Sequence, residues 1–216
     1  YRLHISEAGY RDWQHEVTVL GGDVQRFDYP LLFPAILKTT PLEQFKNAVA
    51  YATQSPDRRW VMLAEAPTAA VQFRLYDLKN PPKPVATTVT LPAGLVTAGD
   101  GAQSWKVVEW SNDNRHVLIS HTYVSGGAPG QEYLLLNRQS PGSSHNLTRD
   151  LSLSAVEQLS LFNKTATDFY VYNTDTKTVR TLGLDTPPNF LQLAHVSAFK
   201  SYSDDTVLYV TDTPPS

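Results

Sequence analysis

Ala48-Val49-Ala50-Tyr51-Ala52-Thr53-Gln54-Ser55-Pro56-Asp57-Arg58-Arg59-Trp60-Val61-Met62-Leu63-Ala64 reads as strand, tight turn, strand. The turn chemistry is local: proline at 56 presets φ, and an aspartate at 57 bonds the backbone ahead of it. The strand after it, Val61-Met62-Leu63-Ala64, is a continuous apolar run rather than an alternation. Such a run fits a strand covered on both faces.

The same pattern returns along the chain. Trp105 to His121 turns at Ser111-Asn112-Asp113-Asn114-Arg115, Leu159 to Tyr172 at Asn163-Lys164-Thr165, and Ser197 to Val210 at Tyr202-Ser203-Asp204-Asp205. The turn serines stand at 55, 111 and 203, steps of 56 and 92, the second divisible in two at the Asn163 turn. Repeats of ~40–50 residues are the spacing of four-stranded propeller units. Tyr133-Leu134-Leu135-Leu136 and Phe169-Tyr170-Val171-Tyr172 supply further inner-strand runs. Phe73 to Leu78 reads as a third strand with Asp77-Leu78-Lys79-Asn80-Pro81 as its exit turn.

Ahead of this array, Tyr1 to about Leu37 forms a smaller module. Tyr1, Leu3 and Ile5 share one face of a first strand, Trp13 to Leu20 makes a second, and Val24 to Tyr29 a third after a Gly21-Gly22-Asp23 turn. Between the modules, Thr40-Pro41-Leu42-Glu43 fits a capping box opening a turn or two of helix towards Val49, or else an extended linker.

Composition bounds the chemistry. Of 216 residues, 41% are hydrophobic and 18% charged, enough for a packed core. A net charge of −3, with no basic run longer than Arg58-Arg59, argues against nucleic acid as a partner. The absence of cysteine excludes disulfides, thiolate metal sites and a cysteine nucleophile. Six histidines (His4, His15, His116, His121, His145, His195) show no ligand spacing, so no metal site is expected. No Gly-x-Ser-x-Gly, His-Glu-x-x-His or phosphate-loop signature is present, and no catalytic or cofactor-binding residue is assigned. Trp105 and Trp110 have opposite parity on one strand, which places at most one on a given face.

The glycine-rich stretch Val124-Ser125-Gly126-Gly127-Ala128-Pro129-Gly130 reads as a long hairpin connection. Tyr123, Ser125, Gly126, Gly127 and Pro129 are the candidate partner contacts, since loops on a rigid scaffold often carry recognition.

Two resemblances sharpen these expectations. Tyr1-Arg2-Leu3-His4-Ile5, Gly9-Tyr10-Arg11-Asp12-Trp13, Val17-Thr18-Val19 and Phe33-Pro34 resemble the C-terminal half of a PEGA domain, a small surface-associated β-sandwich. Ser55-Pro56-Asp57-Arg58-Arg59-Trp60 and Tyr76-Asp77-Leu78 resemble the WD40-like or TolB-like propeller repeats of bacterial envelope proteins. The expected architecture is all-β: a partial PEGA-like module over 1–38, then blades at about 47–98, 104–152, 156–195 and an incomplete 196–216, making an incomplete propeller. The resemblance implies a non-enzymatic, extracytoplasmic scaffold of the cell envelope that binds a protein or a cell-wall glycan. Residue 1 is Tyr and the sole methionine is Met62, so any anchor would lie upstream of Tyr1. A carbohydrate-active enzyme with acids in the propeller channel and a structural spacer are the rival readings.

Overall fold

The computed structural model describes residues 1–22, 24–27, 31–39, 41–65, 72–155, 157–185, 192–203 and 206–212. The chain divides into two compact units, Tyr1–Gln44 and Phe45–Ser216.

The first unit holds one antiparallel pair, β1 (Arg2–Ile5) and β2 (Trp13–Glu16). The second strand stops at Glu16 instead of reaching Leu20, and residues 24–27 form no strand. Asp23 and residues 28–29, which complete the expected turn and third strand, lie outside the described residues. Gly9-Tyr10-Arg11 does meet Phe33-Pro34: Tyr10 bridges Pro34, the Arg11 N–H donates to the Phe33 carbonyl at 2.7 Å, and the Ala35 N–H to that of Gly9 at 2.8 Å. None of the unit's described residues is fully buried. A two-stranded pair has too little area to build a core of its own.

The second unit is a succession of antiparallel meanders. The first sheet runs β3 (Val49–Gln54), β4 (Trp60–Glu65), β5 (Gln72–Asp77), β6 (Val85–Thr90). The second runs β7 (Ser104–Trp110), β8 (His116–Ser125), β9 (Ala128–Asn137), β10 (His145–Asn146). The third runs β11 (Glu157–Leu161), β12 (Asp168–Asn173), β13 (Thr178–Gly183), β14 (Gln192–Leu193). A hairpin of β15 (Val196–Ser203) and β16 (Thr206–Thr211) follows. One short helix, α1 (Leu147–Asp150), is capped by the Asn146 side chain, which accepts from the Arg149 N–H. Residues 41–48 form no helix, so the capping-box reading gives way to an extended connection; Thr40 itself lies outside the described residues.

Strand alternation explains how the sheets pack. Met62, Ala64, Phe73, Leu75 and Val89 of the first sheet share a core with Val117, Ile119, Leu134 and Leu136 of the second. The intervening residues Leu118, Tyr133 and Leu135 point the other way and share a core with Leu159, Leu161, Phe169 and Val171 of the third sheet. Tyr170, Tyr172 and Val179 then meet Val196, Phe199 and Val207 of the hairpin. The middle sheets are therefore covered on both faces, as their continuous apolar runs require.

The Ser55 and Ser111 turns are built alike. Arg58 and Asn114, each three residues on, take φ of 61° and 57° and donate their N–H to the serine carbonyl. Consecutive turns are stapled together: the Asp57 N–H donates to Asn114 Oδ1 at 3.0 Å, and the Asn112 N–H and Ser111 Oγ both donate to the Lys164 carbonyl at 2.9 Å. Residues that end β5, β9 and β12, one strand in each of the three sheets, also match. Asp77 accepts from the Lys79 N–H, Asn137 from Gln139 and Ser140, and Asn173 from Asp175 and Thr176. Arg59 clasps both oxygens of Asp77 at 2.8 and 2.6 Å, and this fork, with the Lys79 N–H, holds the Asp77 carboxyl down at about 2. The turn expected at Tyr202 to Asp205 is not described as a whole, because residues 204–205 lie outside the described residues.

One expectation from parity fails. Between Val107 and Glu109 the register on β8 advances by a single residue, so Val108 is an extra, bulged residue of β7. The bulge restores a common face, and Trp110 and Trp105 both pack into the core shared by the first two sheets.

Candidate functional site

The candidate partner residues sit at the far end of β8 and β9. Ser125 pairs with Ala128 around a two-residue turn, Gly126-Gly127, with φ of 59° and 77°. The connection is thus tight, not long: two positive-φ residues make the hairpin turn whose twist matches its strands, and Gly-Gly adopts it without strain. Both strands run ten residues to the tip. Tyr123 faces Gly130 across the ladder, and its ring lies where a Cβ at 130 would be, 2.5 Å from Tyr123 Cζ. The tip is also clamped from the side. The Gly126 N–H donates to Asp100 Oδ2 at 2.9 Å, and the Asp100 N–H to the Val124 carbonyl at 3.0 Å.

Beneath Tyr123 lies a buried polar network that the sequence reading did not single out. His121 and Glu132 are opposite one another on β8 and β9 and are 0% and 2% exposed. His121 Nδ1 lies 2.8 Å from Glu132 Oε1 and Nε2 lies 3.1 Å from Gln103 Oε1. Trp105 stacks on one face of the imidazole and Tyr123 approaches the ring at 5.2 Å between centroids. Glu132 accepts further bonds from the Thr97 N–H (2.9 Å), Thr97 Oγ1 (2.7 Å) and Asn146 Nδ2 (2.7 Å). Burial alone would raise the Glu132 carboxyl. The bonds from His121, Thr97 and Asn146 outweigh it and hold the group down at about 2. Both ring nitrogens and both carboxylate oxygens are therefore occupied by the protein itself. The network anchors residues 97–103 to the second sheet.

Thr97 and Gln103 also line a cleft of about 290 Å³ together with Leu91, Pro92, Gly94 and Gly99. A second cleft, about 320 Å³, follows the first strands of the sheets and is lined by Glu109, Gln158, Ser160, Lys164, Phe199 and Ser201 among others. Here Lys164 forms an ion pair with Glu109 and donates to Ser201 Oγ at 3.1 Å. Glu109 also accepts from the Leu161 N–H, so a side chain of the second sheet covers part of the free edge of β11. Glu109 is the single acid among the described lining residues of this cleft.

The remaining histidines are dispersed. His4 pairs with Asp12, His116 with Asp113 and His145 with Asp150, while His195 occupies a turn with φ of 58°. Among the described residues no three His, Asp or Glu side chains are grouped to hold a metal. No helix among them is long and apolar enough to cross a membrane.

The signal for the missed network was in the strand pattern. His121 shares the parity of Val117 and Ile119, so an imidazole at that position had to be buried and paired. No protein-family profile, curated protein or solved structure matches this chain.

Proposed function

We propose that the second unit is a set of propeller-type blades and that the protein is a non-enzymatic recognition scaffold. Three four-stranded meanders with shared faces support the blade reading. So does the adjacency of their first strands: Trp110 on β7 donates to Thr53 on β3 at 3.1 Å, Glu109 on β7 receives the Leu161 N–H of β11, and Lys164 reaches Ser201 on β15.

The recognition face is the end of the second sheet, where the Gly126-Gly127 tip, Tyr123 and the cleft along residues 91–103 lie together. One observation carries this assignment: the His121–Glu132 network and the Asp100 clamp fix these loops before any ligand arrives. Preorganised loops lose little entropy on binding. The same network disfavours catalysis there, since the imidazole has no free nitrogen for a substrate proton. In the first-strand cleft, a glycosidase would need a second carboxylate facing Glu109. The location in the cell envelope, and a protein or cell-wall glycan as partner, follow from the resemblances at Tyr1–Pro34 and Ser55–Trp60.

Retention on purified cell-wall sacculi and on immobilised envelope proteins tests the proposal. The wild-type chain is expected to be held by one of them, and Tyr123→Ala to be held less. Hydrolysis of a glycoside panel that disappears in Glu109→Gln would overturn it.

A further inference from the structure

Arg138 follows directly on β9 and, at 9% exposed, is the single buried arginine or lysine among the described residues. It is fixed at three points. Its backbone N–H donates to the Arg115 carbonyl at 3.0 Å, its Nε donates to the Asn114 carbonyl at 2.5 Å, and its guanidinium carbon stands 3.7 Å from the centre of the Trp60 ring. A guanidinium carries five N–H donors. Here only the one on Nε is used: the Nη groups meet no acceptor among the described residues, and they are open to solvent. Other cations of this unit have an acid beside them, Arg59 with Asp77, Lys164 with Glu109 and Arg180 with Glu157. A buried charge without a counter-charge is costly. Burial lowers the pKa of Arg138, but a guanidinium stays charged at neutral pH.

The surroundings add to the positive charge. The turn segments 55–60, 77–80, 111–116 and 137–140 carry Arg58, Arg59, Lys79, Arg115 and Arg138 against Asp57, Asp77 and Asp113. The three acids are engaged by other groups. Arg59 clasps Asp77, Asp57 accepts from Ser55 Oγ and the Arg59 N–H, and Asp113 accepts from the N–H groups of Arg115 and His116. Arg59 also approaches the Trp60 ring, at 4.8 Å, which sets two like charges on one indole. An anion at Arg138 would offset their repulsion.

We propose that Arg138 anchors a carboxylate-binding site, in which its Nη N–H groups take the two oxygens of a carboxylate while Trp60 and the Asn114 carbonyl hold the fork in place. A fork preset in this way loses little freedom on binding. A carboxylate suits the site better than a phosphate dianion, because Asp57 and Asp113 act on Arg138 through space and oppose a second negative charge. The site lies at the start of β8, the opposite end from Gly126-Gly127, and does not rest on the recognition face proposed above.

The carboxylate could belong to a peptide or to a sugar acid, and the test separates the two. Nitrogen–proton NMR of the whole chain follows the Trp60 indole N–H, assigned with Trp60→Phe, and the Arg138 Nε–H. N-acetylalanine, N-acetylmuramic acid, inorganic phosphate and the neutral N-acetylalanine amide are titrated at constant ionic strength. Both signals are expected to shift along one saturable curve with at least one of the two acids and to stay still with the amide. The tighter acid identifies the source. Arg138→Lys keeps the charge but loses the fork, and should weaken that binding by about tenfold or more with an unchanged circular dichroism spectrum. Four results overturn the proposal: no saturable shift with either acid, an equal response to the amide, tighter binding of phosphate than of both acids, or wild-type affinity in Arg138→Lys. The wild-type titration decides by itself if that variant does not fold.

Discussion

The indole of Trp105 lies flat on the imidazole of His121, with centroids 3.8 Å apart and planes 6° from parallel. The two residues are also cross-strand partners on β7 and β8. The stack shields the His121–Glu132 pair from water and turns a polar contact into a fixed part of the core.

A buried pair of this kind costs most when only one member is removed. Glu132→Leu leaves His121 Nδ1, the Thr97 N–H and an Asn146 amide without acceptors, and is expected to lower stability by ~3–5 kcal/mol. His121→Phe keeps the stack with Trp105 but leaves the carboxylate short of a donor. The double variant, with both groups apolar, should cost less than the sum of the two singles. Urea unfolding of the four proteins measures the coupling; strict additivity would mean that the two side chains do not act as a pair.

Acid should dissolve the same network. The Glu132 carboxyl is held at about 2 in the folded chain, below its ordinary value of 4.5. A carboxyl depressed by folding adds stability that is complete above its unfolded value and is lost as pH falls towards its folded value. The contribution, roughly 3 kcal/mol at neutral pH, should therefore decline from about pH 4.5 to about pH 2. Asp77 is lowered in the same direction by Arg59 and loses its share in the same window. Thermal melts at pH 7, 5 and 3 follow the decline. In Glu132→Gln the slope across this window should be shallower than in the wild type.

The repeat was legible because its information is local. Serine turns at 55 and 111 and apolar runs such as Phe169–Tyr172 are each set by a few neighbouring residues, and the strands form where they indicate. What stayed hidden depends on distant partners. The bulge at Val108 is a property of the β7–β8 register and reverses the faces inferred for Trp105 and Trp110. Glu132 collects donors 35 residues upstream at Thr97 and 14 downstream at Asn146, and no spacing announces those. The glycine-rich stretch 124–130 suggested a long connection, but cross-strand pairing runs on to Ser125 and Ala128 and leaves only Gly126-Gly127 in the turn. Pro129 pairs with Val124 within the ladder.

Tyr51 offers a test in the opposite direction. Its ring packs against the core shared by the first two sheets, while its hydroxyl is buried without a hydrogen-bond partner among the described residues. Burial pushes the ionisation of that hydroxyl up. Removing a desolvated, unpaired polar group relieves its penalty. Tyr51→Phe is expected to hold or raise stability by up to ~1 kcal/mol, read as an increased urea midpoint. A loss above ~1 kcal/mol would reveal a bond that the hydroxyl makes.

Gly130 separates the architecture of the recognition face from its composition. A Cβ there would stand 2.5 Å from Tyr123 Cζ and 2.8 Å from the hydroxyl oxygen, so Gly130→Ala forces the tyrosine ring off the ladder. Overpacking of this sort costs ~1–3 kcal/mol. The cost resides in the ring, since Gly130 is not among the glycines with positive φ. Tyr123→Ala in the same chain should therefore recover most of it. The binding readout should behave differently: both single variants and the double variant lose the tyrosine at its native position, so all three should bind the partner more weakly than wild type. Stability restored in the double variant together with wild-type binding would show that Tyr123 contributes packing and no recognition.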